Sequence, residues 1–515
     1  MALVLATALA GGGYFPAQYL AMGIGALVGA ALLVAGRRAV PRLTRRAGVA
    51  LVAMLVLGGW VGLSSSWSPD SALAVQGFQR QIAYAGVLVF GIVALGRGHG
   101  ARGMIVAVWV ALTVVAVLGV MSRLLPDLDL APLMDDVGGY RLGWPVSYWN
   151  AQGALSVMAA ILAVALAADR RTHVVVRGLA AATVPLVSTG ILLTVSRGSV
   201  LALVIGAVVL VALARRPLHA AAVAVACALP SGAAIALASS RPSVVDDPMA
   251  RPALADVGPT LFAELVGLGV VAAAAAIGAL AFLLRIEEVR RRERERGRRR
   301  GSRWTPVVVL GAVVLVLAGL LVGASRLDGP AANRASGARS FVETQRKAFL
   351  EATPSDESGL SRLGSASGSR SDLYRVALRE FGSSPVWGDG VGAFPRRWLR
   401  ERRTPQPVAN AHSLFLESLA DTGVVGLAIL LAFVGAIGWG AVVARRRPSA
   451  LPRAQSAGVA GALAAFLASC AIDWTWQMGA VTAAALLLSA TLLVDRRGPR
   501  GPGQSDAGRR SVGEP

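Results

Sequence analysis

The sequence contains a long series of apolar runs, each close to the length of a membrane-spanning helix. A helix needs about 20 apolar residues to cross a bilayer, and about thirteen runs of that size occur along the chain. They lie at residues 17–35, 47–64, 76–95, 104–122, 150–168, 177–195, 198–214, 218–238, 262–284, 304–324, 423–444, 455–472 and 475–494. Hydrophobic residues make up 55% of the 515, and charged residues only 16%. The sequence therefore predicts an all-α polytopic membrane protein with about 12–14 transmembrane helices.

The first thirteen residues, MALVLATALAGGG, are apolar but too short to span a bilayer. They have no basic segment of the kind that opens a signal peptide. We interpret them as an incomplete first span or as an N-terminal stub.

The chain carries a formal charge of +22, almost all of it from arginine, and Lys347 is the only lysine. Such a charge often indicates nucleic-acid binding, but here it is concentrated in alternate short loops. The arginine-rich loops lie at 37–46, 97–102, 169–177, 215–217, 285–303, 444–453 and 495–500. By the positive-inside rule these loops face the cytoplasm, so the segments 64–72, 124–140, 239–248 and 325–411 face outwards. We therefore expect a multi-pass protein of the cytoplasmic membrane and no nucleic-acid partner.

This topology divides the chain into four regions. Residues 1–324 form an N-terminal helix bundle, 325–411 a large extracytoplasmic loop, 412–497 the C-terminal spans and 498–515 a disordered cytoplasmic tail. The large loop contains fourteen lysines and arginines against nine acidic residues, which suits an anionic, lipid-linked ligand. Within the loop we expect a helix over 338–352, a Ser/Gly linker over 355–369, a helix over 371–381 and a turn over 387–394.

His412 is the only one of the four histidines that the topology places outside, just before the apolar run that follows the loop. We expect Asn410 to cap the helix that begins here. Ser413, Glu417 and Asp421 then recur at helical spacing as a polar stripe. Gly423 and Gly426 permit close helix contact. The alternative is an ordinary helix entry with an interfacial histidine.

Arg197 lies between two apolar runs at the predicted outer surface, where the charge rule disfavours arginine. It could reach up to lipid head groups or act as a fixed cation facing a phosphate. Arg370 stands at the start of the predicted 371–381 helix.

Three acidic pairs outside the membrane have the carboxylates of a metal site, but no histidine or fixed spacing accompanies them. They are Asp127/Asp129, Asp135/Asp136 and Asp246/Asp247. A solvated loop is the better interpretation, and no metal is expected.

Asp473 lies at an outer helix edge, but the sequence indicates no role for it. Cys227 and Cys470 fall inside apolar runs, as small core residues do.

Two motifs resemble the O-antigen ligase and polymerase family. Arg197 with Leu201 gives R-x3-L, and His412-Ser413 followed by Gly423 and Gly426 gives H-[NSQ]-x9-G-x2-G. In that family the pair of motifs flanks a large periplasmic loop. Looser similarities occur at 60–70, 369–394 and 473–476, so that the resemblance spreads over most of the chain.

The resemblance implies a metal-independent, GT-C-related membrane glycosyltransferase without a cofactor. Such enzymes move a glycan from an undecaprenyl-diphosphate carrier to an acceptor hydroxyl, on a glycan, lipid or protein, outside the cytoplasmic membrane. The family's essential residues correspond to Arg197, Arg370 and His412. Arg375 could exchange roles with Arg370, and Ser413 and Glu417 are further candidates for contact with the diphosphate.

Several functions share these motifs: a polymerase of repeat units, a ligase of finished glycan and a protein O-glycosylase. A transporter or flippase of lipid-linked glycans is the main alternative outside the transferases. A transporter is expected to carry ionisable residues or broken helices near the bilayer midplane. This chain instead concentrates its polar residues at the outer edge. A cell-envelope scaffold would leave Arg197 unexplained.

Overall fold

The fold is described from a computed structural model of the chain. The described residues are 1–36, 43–95, 100–131, 141–245, 251–295, 370–403, 407–446 and 453–494. The predicted span at 304–324, helix at 338–352, linker at 355–369 and tail at 498–515 lie outside them.

Sixteen α-helices are found in the described part of the chain, together with short 3-10 turns, and these ranges contain no strand. The helices before the large loop are α1 (Ala2–Leu9), α2 (Pro16–Ala35), α3 (Arg45–Leu63), α4 (Ser71–Leu95), α5 (Ala101–Leu124), α6 (Trp149–Ala168), α7 (Val174–Leu193), α8 (Arg197–Leu213), α9 (Pro217–Ser239), α10 (Pro242–Val245) and α11 (Arg251–Glu295). The later helices are α12 (Arg370–Ser383), α13 (Phe394–Glu401), α14 (Leu414–Arg446), α15 (Arg453–Ile472) and α16 (Gly479–Leu493).

Ten of these helices are long and apolar enough to cross a membrane. They are α2 to α7, α9, α11, α14 and α15. The helices α8 and α16 are apolar but shorter, with 17 and 15 residues. Twelve of the predicted runs therefore form helices, and the prediction of an all-α polytopic membrane protein is confirmed.

The N-terminal segment forms a stub and not a span. The helix α1 has eight residues, which at 1.5 Å per residue covers only about 12 Å. It packs against α5 and α16, and Gly12 then reverses the chain at a φ of 84°.

The helix α6 is the centre of the bundle. Its apolar window is completely buried, and it packs against α5, α7, α8 and α15. Nearly half of its residues are alanine or glycine, and these small side chains let the surrounding helices approach closely.

The helix α11 is longer than the predicted 262–284 span, because the helix continues into the charged segment as far as Glu295. The prediction of a loop starting at residue 285 is therefore wrong. Glu287 forms an ion pair with Arg216 and lies 3.3 Å from His219. Both side chains of the ion pair are nearly half exposed, so the pair contributes little to the stability of the extra turns.

The helices α12 and α13 cover one end of the bundle, which we call the loop-bearing end. The predicted 371–381 helix is confirmed as α12, two residues longer at its C-terminal end and one at its N-terminal end. A small apolar core joins the two helices to the start of α14, and it contains Leu373, Val376, Ala377, Phe394, Trp398, Ala411 and Ala420. All the sites described below lie at this end.

Candidate functional site

The chain enters α14 through a tight turn at His412. This residue has a φ of 52°, which is uncommon for a residue with a side chain and fixes the direction of its ring. Ser413 caps α14, because its Oγ accepts the amide of Leu416 at 3.4 Å. The prediction that Asn410 is the cap is therefore wrong. The carbonyl of Asn410 lies 3.3 Å from Nδ1 of His412 instead.

That contact defines the histidine tautomer. A carbonyl oxygen can only accept a hydrogen bond, so Nδ1 of His412 carries the proton in the neutral ring. Its Nε2 then keeps the lone pair needed by a base.

The helix α14 is broken at Gly423, which has a φ of 66°. A helix break frees backbone groups, and inside a membrane protein such groups must find other partners. Here the turn at 385–390 supplies them. Val424 N donates to Pro385 O at 2.9 Å, Asp389 N to Ala420 O at 3.0 Å, and Gly390 N to Asp421 O at 3.0 Å. The predicted turn over 387–394 forms as far as Ala393, since Phe394 begins α13. Its first residues supply hydrogen-bond partners to the broken helix.

Both glycines of the second motif lie at close contacts. A Cβ on Gly423 would meet the carbonyl oxygen of Val386 at 2.1 Å. A Cβ on Gly426 would meet Oγ1 of Thr422 in the same helix at 1.9 Å, whereas Trp60 of α3 lies at the ordinary contact distance of 3.4 Å. The indole of Trp60 donates to the carbonyl of Thr422 at 3.1 Å. Gly423 therefore allows close contact with a turn, and Gly426 leaves room for a side chain of its own helix.

Asp473 joins three segments at the loop-bearing end. Its side chain is 3% exposed and accepts Nη2 of Arg370 at 2.9 Å and the hydroxyl of Tyr148 at 2.7 Å. Asn150 and the backbone amide of Trp474 also donate to it. This carboxylate holds Arg370 by a charge-assisted bond, which is stronger than a neutral one.

His412 belongs to the same group of side chains. Burial lowers its pKa, the Asp473 carboxylate opposes this, and the Arg370 guanidinium lowers the pKa further. The net direction is downwards, so the ring is neutral at neutral pH. For Arg370, burial disfavours the charge, but Asp473 outweighs it and raises the pKa. Of the predicted catalytic residues, Arg370 is therefore bonded to Asp473, and the charges of both act on His412.

Arg197 is the first residue of α8, directly after Ser196, which caps that helix. The connection from α7 has only three residues, and Val195 turns the chain with a φ of 46°. Gly198 packs against Ile472, the neighbour of Asp473 in the chain, since a Cβ there would lie 2.8 Å from the isoleucine side chain. Arg197 thus shares the loop-bearing end with the group around Asp473.

A second arginine at this edge, Arg141, was not predicted from the sequence. Its Nη2 donates to the carbonyl of Val195 at 3.0 Å, and its guanidinium stacks 4.8 Å from the centre of the Trp149 ring. Arg141 therefore holds the turn that leads to Arg197.

Arg375 faces different partners from Arg370. Its Nη2 donates to Asp372 and to the carbonyl of Glu401, both at 2.6 Å. Asp372 also accepts the amide of Arg403 at 2.8 Å. Arg375 thus ties α12 to the end of α13, away from the Asp473 carboxylate.

Glu417 lies one turn into α14 beside a second group of polar residues. Gln477 donates to it at 2.6 Å, and the charge of Arg80 also acts on it. The sequence did contain a signal for Arg80, because an arginine inside an apolar run is costly unless it has a function or a partner.

Asp127 and Asp129 are exposed around a short 3-10 turn, as expected for a solvated loop. The other two acidic pairs lie outside the described residues. Within the described part of the chain, no group of three or more histidine, cysteine, aspartate or glutamate side chains is arranged to hold a metal ion.

Comparison with known families gives one match. A family model described as O-antigen ligase matches residues 258–431. The match contains Arg370, His412, Gly423 and Gly426, whereas Arg197 and Asp473 lie outside it. A search of curated proteins found no significant match.

The resemblance to an O-antigen ligase/polymerase-like family is thereby supported, and with it a glycan-transferring membrane enzyme of that type.

Proposed function

We propose that this chain of the O-antigen ligase/polymerase type is a metal-independent glycosyltransferase that takes a glycan from an undecaprenyl-diphosphate-type lipid carrier. The acceptor is a hydroxyl on a glycan, lipid or protein at the outer side of the cytoplasmic membrane. The observation that carries the proposal is the group formed by His412, Arg370 and Asp473.

His412 is the proposed base. Its proton on Nδ1 is directed to the Asn410 carbonyl, so Nε2 accepts the proton of the acceptor hydroxyl. General bases work best when they are unprotonated at the working pH. The lowered pKa of His412 meets this requirement at neutral pH.

Arg370 and Arg197 are the proposed partners of the diphosphate. The acceptor oxygen forms a bond to C1 of the sugar while the bond from C1 to the phosphate oxygen breaks, and the electron pair remains on the diphosphate. Guanidinium groups hold this charge with paired hydrogen bonds. A guanidinium held in place by Asp473 needs no rearrangement as the charge develops.

The remaining candidates have supporting roles in this proposal. Ser413 caps α14 and so fixes the turn that carries His412. Arg375 holds α12, which begins with Arg370, against α13. Glu417 lies in the neighbouring cavity.

The proposal is tested with purified full-length protein in nanodiscs and a lipid-diphosphate-linked glycan, with release of the carrier followed in the presence of a chelator. We expect turnover by the wild type and its collapse in His412→Ala and Arg197→Ala. The matched controls are His173→Ala, which alters a helix cap at the opposite end of the bundle, and Arg241→Ala, which breaks an ion pair with Glu264.

Product length separates a polymerase from a ligase. Turnover that needs an added divalent metal would contradict the metal-independent reaction. Movement of the glycan across the bilayer with its carrier bond intact would replace the transferase with a flippase.

A further inference from the structure

A cavity of about 90 Å³ opens beside the group around Asp473. Its polar wall comes from the first turns of α14, from α4 and from the segment after Asp473, and its floor is apolar. The cavity lining includes the side chains of Arg80, Gln81, Asp421, Trp474 and Trp476. A space of this size holds several water molecules.

Four buried polar atoms of this wall have no hydrogen-bond partner among the described residues. Two of them are donors, Nε of Arg80 and Nε1 of Trp476. Two are acceptors, Oε1 of Gln81 and Oδ1 of Asp421. A buried polar group without a partner costs free energy, and few occur in a folded protein. Two unpaired donors and two unpaired acceptors around one cavity indicate a ligand that both accepts and donates hydrogen bonds.

The hydrogen-bonding atoms around the cavity restrict the ligand further. A phosphate only accepts hydrogen bonds, so it would leave the acceptors Oε1 of Gln81 and Oδ1 of Asp421 without a partner. A simple cation is disfavoured by Arg80 and by the indole donor of Trp476. Neutral hydroxyl groups donate and accept equally well, and the indole ring of Trp474 offers an apolar face for a sugar ring.

We infer that this cavity is a subsite for the hydroxyl groups of one neutral sugar residue of the transferred or accepting glycan. The inference rests on the proposed glycosyl transfer. Glu417 lines the cavity, and its backbone amide donates to the carbonyl of Ser413, the residue after His412, at 2.8 Å. The subsite therefore lies beside the proposed base, and a sugar bound there is held next to the reacting one.

The test measures direct binding of free sugars to the full-length protein. The protein is placed in nanodiscs without glycoside detergents, whose head groups are themselves sugars. Saturation-transfer NMR then follows a fixed panel of neutral hexoses, deoxyhexoses and N-acetylhexosamines, with inorganic phosphate and pyrophosphate as a second arm.

We expect saturable binding of at least one sugar and no competition by phosphate. Gln81→Leu replaces the amide by an apolar side chain of similar size and so removes one hydrogen-bond acceptor. The Kd of this variant for the sugar should therefore be about fivefold to tenfold higher than that of the wild type. The thermal stability of Gln81→Leu stays unchanged or rises, because an acceptor without a protein partner is removed. Arg80→Gln weakens sugar binding by a similar factor, and the control Arg241→Gln does not.

Absence of binding by every sugar in the panel, or equal binding by Gln81→Leu and wild type, would overturn the subsite. Displacement of the sugar by phosphate would assign the cavity to an anion instead. Carrier release by the wild type without sugar binding leaves the proposed function intact and removes the subsite. Sugar binding without carrier release keeps a sugar-binding cavity, but it contradicts the proposed function and the assignment of the cavity to a transferred or accepting glycan.

Discussion

Replacement of Asp473 by asparagine tests the arrangement of the candidate site most directly. The Asp473 carboxylate is nearly completely buried and accepts Arg370 at 2.9 Å. Asparagine has almost the same shape, so packing is preserved while the charge is lost. A hydrogen bond to a charged group contributes about 1.5–3 kcal/mol. Since about 1.4 kcal/mol is a tenfold change in rate, we expect turnover to fall roughly tenfold to hundredfold.

The same substitution shifts the pH dependence in a defined direction. The Asp473 carboxylate raises the pKa of His412 against the effect of burial. Without that negative charge the pKa falls further, so the histidine stays neutral to a lower pH. The acid limb of the pH–rate profile therefore moves to lower pH in Asp473→Asn, even though the maximal rate is smaller.

The assay is carrier release from a lipid-diphosphate-linked glycan, measured across pH for wild type and Asp473→Asn. Asp169→Asn is the matched control, because Asp169 is equally buried at the opposite end of the bundle and accepts Thr172 and Gln455 there. Its acid limb should not move. A full rate in Asp473→Asn, or a lower rate with an unmoved acid limb, would refute the assigned positioning role.

Three further outcomes follow from the geometry. Gly423→Ala should lower the free energy of unfolding by about 1–3 kcal/mol, because a residue with a side chain is strained at the φ of 66° found here. Gly435 has open space around it, so Gly435→Ala should not lower stability. Thermal unfolding of the two variants tests this. Burial raises the pKa of Glu380 to about 8 from its ordinary 4.5, so this group's stabilisation is complete below pH 4.5 and is lost as pH rises towards 8. Glu380→Gln should flatten that part of the melting-temperature profile, and an identical profile would argue against a buried neutral carboxyl. Arg370→Lys should reduce carrier release far more than Arg375→Lys, and equal losses would contradict the separate partners of the two arginines.

Much of the fold could be predicted, because a chain surrounded by lipid has few alternative backbone structures. Apolar runs of membrane length must form helices, since every backbone group has to be bonded internally. The positions of α2 to α9 follow directly from that requirement. The helix boundaries could be predicted less well, as α11 shows, because a helix can continue past its apolar segment into charged residues.

Some residues of the candidate site could also be predicted from the sequence. His412 stood out by its position at the predicted outer membrane edge, and Arg370 by the family resemblance. In the structure the charge of Arg370 acts on His412. The separate partners of Arg370 and Arg375 could not be predicted from the sequence, because they depend on which carboxylate lies near each arginine in the folded protein. Asp473 had no assigned role for the same reason, since its partners lie far from it in the chain.

The sequence by itself determined the membrane class, the helices and the residues that stand out as candidates, because these depend on local composition and on the length of apolar runs. Only the tertiary structure decided that Asp473 holds Arg370 beside His412, that the 385–390 turn seals α14 at Gly423, and that unpaired donors and acceptors surround one cavity. Those features arise from contacts between segments up to hundreds of residues apart. Their geometry exists only when the helices are packed.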